Sequence, residues 1–249
     1  MRLYAIPGSH ACRSAMLMLD HKKLDYRTIE LPTGMHPFLL RALGFAGNRE
    51  PIRELDGAAP ADLAVLDRLG TVPALRTTQT RVQTNREIAR FLEREYPEPP
   101  LFPADEATRE AVEEAERWGD EVLQMAARRV ALATASRGLD AMRRRAGDGR
   151  LGPLLAQSAS VRAVAARMAG RAFRAGPGRE DALVAVVPAM LEKVDAWIEV
   201  GLLGSPALNV ADYVIVPSLA LLSYCPALDA QLEARPLTAL LDRLLPEPA

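Results

Sequence analysis

Apolar and polar residues alternate over Arg2 to Ile6, and Pro7-Gly8 ends the run, which predicts a first strand. The period then changes. Cys12, Ala15, Met16 and Leu19 recur at helical spacing, with Arg13, Ser14 and Asp20 on the other side, as far as Lys22-Lys23. Tyr26 to Leu31 alternates again, Tyr26, Thr28 and Glu30 against Arg27, Ile29 and Leu31, and stops at Pro32, so the chain opens as β-α-β. Within 34–70, Phe38, Leu39 and Leu43 form one helical stripe and Leu63, Leu66 and Leu69 another, on either side of a turn from Gly44 to Pro51. Val72 to Leu75 and Thr80 to Gln83 flank a polar turn and read as a hairpin. A helix follows from Asn85 to about Glu95, with Ile88, Phe91 and Leu92 on one face. Asn85 is its expected N-cap, since a short side-chain oxygen accepts from a free amide in the first turn.

Tyr96 to Asp105, reading YPEPPLFPAD, carries four prolines, which neither continue a helix nor sit in a central strand. It marks the expected boundary, with a first domain over 1–96, a linker over 97–105 and a second domain over 106–249. Beyond it the pattern is helical and poor in strands, over 106–136, 151–174, 180–200, 209–223 and 236–245, broken at Gly138, Gly147, Gly176-Pro177, Gly201 and Gly204. The expected fold class is α/β followed by all-α.

Composition narrows the function classes. The 249 residues are 49% hydrophobic and 25% charged, enough for a sizeable core in more than one domain, which excludes a disordered, collagenous or coiled-coil chain. With 31 basic against 32 acidic residues the net charge is −1, so no global field draws in nucleic acid or an anionic membrane. Two cysteines, Cys12 and Cys225, make neither a disulfide framework nor a metal cluster and fit a reducing, cytoplasmic setting. No signal peptide is legible at the start, and the apolar run Leu202 to Leu228 is interrupted by Asp212 and by prolines before it reaches the ~20 residues of a membrane span. Lysine occurs only at 22, 23 and 193; the excess of arginine and alanine reads as the codon bias of a GC-rich, bacterial genome. Arg128-Arg129, Arg143-Arg144-Arg145 and the arginines between 162 and 179 are interleaved with Asp140 and Asp148 and have few aromatic neighbours, which predicts solvated faces rather than a nucleic-acid surface. Gly176-Pro177-Gly178 has no preceding strand and no following Lys-Ser/Thr, so it reads as a helix break and not a phosphate loop. His21 and His36 have no cysteine or carboxylate at ligand spacing, and no metal site is expected.

Three motifs fall in order along this pattern. Leu3-Tyr4 is followed by Pro7-Gly8-Ser9-His10-Ala11-Cys12-Arg13 between the first strand and helix; Gly70-Thr71-Val72-Pro73-Ala74-Leu75 precedes the hairpin; Asn209-Val210-Ala211-Asp212 heads an apolar helix as a capping box does. Together with the element order they resemble the soluble glutathione S-transferase family over most of the chain. The resemblance implies a thioredoxin-like N-terminal domain and an all-α helical-bundle C-terminal domain. It further implies binding of glutathione or another low-molecular-weight thiol as co-substrate, its conjugation to a small apolar electrophile, no metal, and compatibility with a homodimer.

On that resemblance Ser9 is the candidate catalytic residue. A thiol is mostly protonated at neutral pH, so a hydroxyl donating to the thiolate and the free amides of a helix start would activate it. Cys12 stands where the second cysteine of a Cys-x-x-Cys motif would be, with serine in the first place; it is either a small buried group on the helix or, if exposed, a thiolate nucleophile. His10 is either a tuner of the thiol or a partly solvated turn residue. Val72, before a Pro73 that the resemblance makes cis, would pair its main chain with an extended peptide as a strand would. For the charged end of the peptide, counting back from Ile88 and Phe91 selects Thr84-Asn85, whereas residue type selects Gln83-Thr84. Trp118, Met125, Leu132 and Met168 are either core or the wall of an electrophile pocket, and Tyr4 is core or pocket wall. Two other functions fit the same residues: a non-catalytic binding or scaffold protein, favoured by the altered charged-end pair and the long 34–70 insert, and a thiol-disulfide or dehalogenating enzyme working through Cys12.

Overall fold

The computed structural model describes residues 1–47, 72–137, 142, 150–151, 173, 175, 180–233 and 235–246. A four-stranded mixed sheet has the order β2-β1-β3-β4, from β1 (Arg2–Ala5), β2 (Arg27–Glu30), β3 (Ala74–Arg76) and β4 (Arg81–Gln83). Helix α1 (His10–His21) carries the crossover that makes β1 and β2 parallel, as a parallel pair requires. The hairpin β3-β4 is antiparallel, and β3 runs antiparallel to β1. Its turn is closed by the Thr77 hydroxyl, which accepts from the amides of Gln79 at 3.1 Å and Thr80 at 3.0 Å. Leu3, Ala74 and Leu75 are fully buried between the helices on the sheet.

Helix α2 (His36–Ala42) answers the Phe38–Leu43 stripe, while the stripe at Leu63, Leu66 and Leu69 lies outside the described residues. Helix α3 is Asn85–Glu95, and its N-cap is Thr84 rather than Asn85: the Thr84 hydroxyl accepts from the Glu87 amide at 3.3 Å, and Asn85 is already the first helical residue.

The long helix expected over 106–136 is three pieces. These are α4 (Glu106–Trp118), a π-turn (Gly119–Leu123) and α5 (Gln124–Arg137). At the break a Cβ on Gly119 would stand 2.8 Å from Cγ1 of Ile215 and 3.2 Å from Cγ1 of Val214, so the backbones approach as only glycine allows. The stretch 180–200 is likewise divided, into α6 (Glu180–Ala185) and α7 (Val187–Glu199), with Pro188 in the first turn of α7 where its missing amide costs nothing. Helix α8 (Val210–Leu222) is buried at every position and packs on α1, α4 and α5. A helix apolar on all sides belongs in the middle of a core. The capping box at its head is present: the Asn209 side chain accepts from Ala211 N at 2.9 Å, and Asp212 accepts from Asn209 N at 2.9 Å and Gly204 N at 2.8 Å. The chain closes with a 3₁₀ turn (Pro226–Leu228), α9 (Asp229–Leu232) and α10 (Pro236–Leu244). Among the described residues no single helix is long and apolar enough to cross a membrane. A thioredoxin-like α/β sheet with its helices, followed by a mostly helical C-terminal region, is the fold class expected.

Candidate functional site

The strand register draws the candidate residues to one end of the sheet. Tyr4 of β1 stands opposite Ala74 of β3, and Ala74 opposite Gln83 of β4. Because β3 is antiparallel to both neighbours, the exit of β1, the entry to β3 and the exit of β4 share that end. The turn to Ser9, the Val72-Pro73 entry and the segment Gln83 to Asn85 therefore converge there, along with the N-termini of α1 and α3.

Gly8, at φ 69, occupies the left-handed region and lets the chain turn back into α1. Ser9 is half-buried and caps α1, its Oγ accepting from Cys12 N at 3.2 Å. A hydroxyl has one proton to donate and two lone pairs, so capping α1 does not itself use the Ser9 proton, which also faces the Cys12 thiol. His10 is the first residue of α1 and is buried, which corrects the expectation of a partly solvated turn residue. Its Nε2 lies 3.2 Å from the Gln124 carbonyl oxygen, and since a carbonyl only accepts, Nε2 carries the proton of the neutral ring. Burial first, and then the Arg128 charge, hold the imidazole pKa down at about 3.

Cys12 is 1% exposed. Burial pushes its thiol up to about 11, against the lowering effect of Ser9, the Ile6 main chain and Arg128. A thiolate nucleophile needs the opposite shift and an open approach.

The Val72–Pro73 peptide bond is cis, as is Glu98–Pro99, for which the sequence carried no expectation. The Pro73 carbonyl accepts from Thr84 N at 3.2 Å, and among the described residues none hydrogen-bonds the main chain of the buried Val72. Gln83 turns its Oε1 to the Gly47 amide at 3.0 Å, tying the loop after α2 to β4. Thr84 has φ 75 and ψ 153, a region a β-branched residue rarely occupies and one that clusters at functional sites. Asn85 is buried, and its Oδ1 has no hydrogen-bond partner among the described residues. A buried amide oxygen left unpaired costs free energy unless a bound group pairs with it.

Elsewhere the expectations divide. Tyr4 is core, its ring edge-on to Phe45 at 5.6 Å. Met125 is buried, Leu132 is half-buried, and Trp118 pairs with Trp197 at 5.2 Å under the Lys193 ammonium; Met168 lies outside the described residues. Arg128 is half-buried and Arg129 buried, so this pair does not lie on a solvated face. Gly70, Thr71, Asp140, Arg143-Arg144-Arg145, Asp148, the arginines from 162 to 179 and Gly176-Pro177-Gly178 fall outside the described residues. His21 is engaged with the Pro100 carbonyl at 3.0 Å and with the Tyr213 ring. Among the described residues no three His, Cys, Asp or Glu side chains could share a metal ion.

The sequence analysis did not single out Asp120 or Gln124, and it took Arg128 only as part of a basic stretch. Asp120, Gln124 and Arg128 recur at every fourth position along one helical face, and that spacing was the available signal.

Residues 3–100 match the family of the glutathione S-transferase N-terminal domain. No curated protein matches the chain in sequence. Among solved structures, a glutathione S-transferase of Ceriporiopsis subvermispora in complex with glutathione is similar at 16% identity and a TM-score of 0.64, covering 98% of this chain and 95% of its own. A second from that organism, also in complex with glutathione, has 18% identity and a TM-score of 0.62, over 98% and 95%. One from Rhodospirillum rubrum has 21% identity and a TM-score of 0.53, over 100% and 93%. Residues 3–100 thus match the glutathione S-transferase N-terminal domain, and the chain shares the fold of these solved glutathione S-transferases.

Proposed function

We propose that the chain is a glutathione transferase-type enzyme that binds glutathione or another low-molecular-weight thiol at the common end of the sheet and conjugates it to an electrophile. The observation that carries this reading is the convergence of the Ser9 cap, the Val72 main chain and the Asn85 amide on that end, each with bonding capacity to spare. Residues 1–96 are the thiol domain, 97–105 the linker and 106–249 the all-α domain that receives the electrophile; the setting is cytoplasmic and the assembly a homodimer. Two of the similar solved enzymes are described in complex with glutathione, which supports the choice of thiol.

In this reading the thiol peptide lies along the entry to β3, its main chain paired with Val72 as an added strand. Its charged end meets Thr84 and Asn85; the engagement of Gln83 with Gly47 favours this pair over Gln83-Thr84. The sulfur faces Ser9, whose hydroxyl donates to the thiolate, while the amides at the start of α1 add partial positive charge. The thiolate attacks the electrophilic carbon, the C–S bond forms and the leaving group departs with its electron pair. His10, neutral and bonded to Gln124, orients the α1 turn rather than moving a proton. Burial and the raised thiol pKa of Cys12 count against a mechanism in which Cys12 is the nucleophile.

The ultraviolet thiolate absorbance of bound glutathione against pH tests the assignment. Ser9→Ala raises the bound thiol's pKa by about one unit or more, because a hydrogen bond to a charged group is worth about 1.5–3 kcal/mol and one unit corresponds to about 1.4. Cys12→Ala leaves the curve in place. An unshifted curve for Ser9→Ala together with an inactive Cys12→Ala overturns the serine mechanism, and binding without any turnover leaves the scaffold reading.

A further inference from the structure

We propose that the π-turn Gly119–Leu123 positions the thiol site from the helical region: through Glu121 it fixes the head of α3, where the charged end of the thiol binds, and through the carbonyl of Gln124 just beyond it, it fixes the head of α1, where Ser9 meets the sulfur. This deepens the transferase reading and rests on it, because it makes Glu121, Gln124 and His10 positioning residues of that same site.

A π-turn inside a helix is rare and falls frequently at functional sites. Here Gln124 N donates to Gly119 O, so the turn takes up one residue more than an α-turn. Wound as α-helix, the same residues would rotate α5 by about 100° relative to α4. The π-turn therefore decides which groups the two helices show to the sheet and its helices, and they show three in succession. Glu116, before the turn, holds Arg90 of α3 at 2.7 Å; Glu121, within it, accepts from Arg86 Nη1 at 3.4 Å; and the Gln124 carbonyl, just past it, accepts from His10 Nε2 at 3.2 Å. Arg86 follows Asn85 directly in the first turn of α3, and His10 follows Ser9 directly as the first residue of α1. One turn of the helical region thus grips both helix heads at which Ser9, Thr84 and Asn85 stand. Glu121 and His10 are both buried, so each contact is made out of water, where a hydrogen bond is electrostatically stronger.

The turn is itself held from two sides. Behind it, Gly119 lies so close to α8 that a Cβ would stand 2.8 Å from Ile215 Cγ1. Along its axis, Gln124 Nε2 donates to Asp120 Oδ1 at 3.1 Å and Arg128 Nη2 donates to Gln124 Oε1 at 3.2 Å, a polar ladder that splints the turn to α5. Groups that act on a ligand need this kind of support, from residues locked by packing and by hydrogen bonds of their own.

Displacing the turn tests the proposal. Gly119→Ala pushes it off Ile215, and Gly119→Ala/Ile215→Ala removes the obstructing Cγ1 and Cδ1 and lets it settle back, although the second substitution opens a cavity and lowers stability. In nuclear magnetic resonance of the ligand-free chain, the amide signals of Ser9 to Cys12 and of Thr84 to Glu87 shift together in Gly119→Ala and return in the double variant. With glutathione bound, Gly119→Ala raises the pKa of the bound thiol by about half a unit, and its Kd, measured below that pKa, by about threefold. The double variant restores both, whereas lost stability alone would leave it worse than the single one. The two grips also separate: Glu121→Gln raises the Kd and leaves the thiol pKa in place, and His10→Leu raises the thiol pKa and leaves the Kd in place. Signals that move at one head only, or a pKa and Kd unchanged in Gly119→Ala or unrestored in the double variant, overturn the proposal. Should Gly119→Ala fail to fold, Glu121→Gln and His10→Leu decide, and either one without its own effect overturns it. If wild type binds no glutathione the transferase reading fails, and the amide signals of the ligand-free chain still decide whether the turn positions the two heads.

Discussion

Arg90 of α3 and Glu116 of α4 form a two-point ion pair, Nη1 to Oε1 at 3.2 Å and Nη2 to Oε2 at 2.7 Å, that joins the sheet's last helix to the first helix beyond the proline-rich segment. The Glu116 side chain is fully buried, and the Arg90 guanidinium also lies 4.3 Å over the ring of Phe102 in that segment. The pair therefore holds α3, the segment and α4 as one packed unit.

Burial raises the Glu116 carboxyl to about 7, against the pull of Arg90, from an ordinary value of 4.5. The folded chain thus keeps this proton to higher pH than the unfolded chain does. Its contribution to stability is fully present below pH 4.5 and is lost as the pH rises through about 7. Arg90→Met costs about 3–5 kcal/mol at pH 8, where the carboxylate is left buried without its direct ion-pair partner, and clearly less at pH 5, where it is protonated. Urea unfolding at the two pH values measures the difference. The double variant Arg90→Met/Glu116→Leu recovers most of the loss at pH 8, because no charge is then stranded.

His10 titrates far below its ordinary range, at about 3 against 6.5. Its imidazole signals in nuclear magnetic resonance stay flat between pH 5 and pH 8, and a titration in that interval would contradict the buried Nε2–Gln124 contact. The linkage has the opposite sign to that of Glu116. The unfolded chain takes up a proton below 6.5 and the folded chain does not, so this residue's contribution is lost as the pH falls from 6.5 towards 3. His10→Gln, which removes the titrating group, flattens the acid limb of the stability profile.

Gly119→Ala destabilises the fold, although alanine is the better helix former by about 1 kcal/mol. The added methyl meets Ile215 Cγ1 at 2.8 Å inside α8, and overpacking of this kind costs about 1–3 kcal/mol. Thermal unfolding reads the sign directly: a raised melting temperature would show that the π-turn can open without disturbing α8.

Asp212→Ala removes the acceptor for two amides, Asn209 N and Gly204 N, at the head of the buried helix. Each amide left unpaired costs about 1–3 kcal/mol. Asp212→Asn keeps one acceptor oxygen and loses less. A melting temperature unchanged in Asp212→Ala would contradict the capping box.

The element order was legible because periodicity reports which residues face a core. Strands around Leu3 and Leu75, helices on Ala15 and Ile88, and the cap at Asn209 and Asp212 all follow from local pattern and short-range hydrogen bonding. Local pattern was also where the reading erred. Asn85 and Thr84 are both short polar residues before an apolar stripe, and only the backbone, with φ 75 at Thr84, shows which of them ends the loop. The segment 106–136 has one helical period throughout, and only the approach of α8 to Gly119 shows why it is broken.

The sequence by itself determined the sheet-and-helix plan and named the candidates Ser9, Val72 and the overlapping pairs Gln83-Thr84 and Thr84-Asn85, since these depend on neighbours in the chain. What it could not determine was environment. His10 left a reactive and a partly solvated reading open and Cys12 a reactive and a buried one; both are buried, with burial the largest cause that moves one to about 3 and the other to about 11. The ladder from Asp120 to Arg128 is written in the sequence, but its placement against α1 comes from a contact across 114 residues, between His10 and the Gln124 carbonyl. Desolvation and long-range contact exist only once the chain has packed, so the charge state and surroundings of this site were decided by tertiary structure.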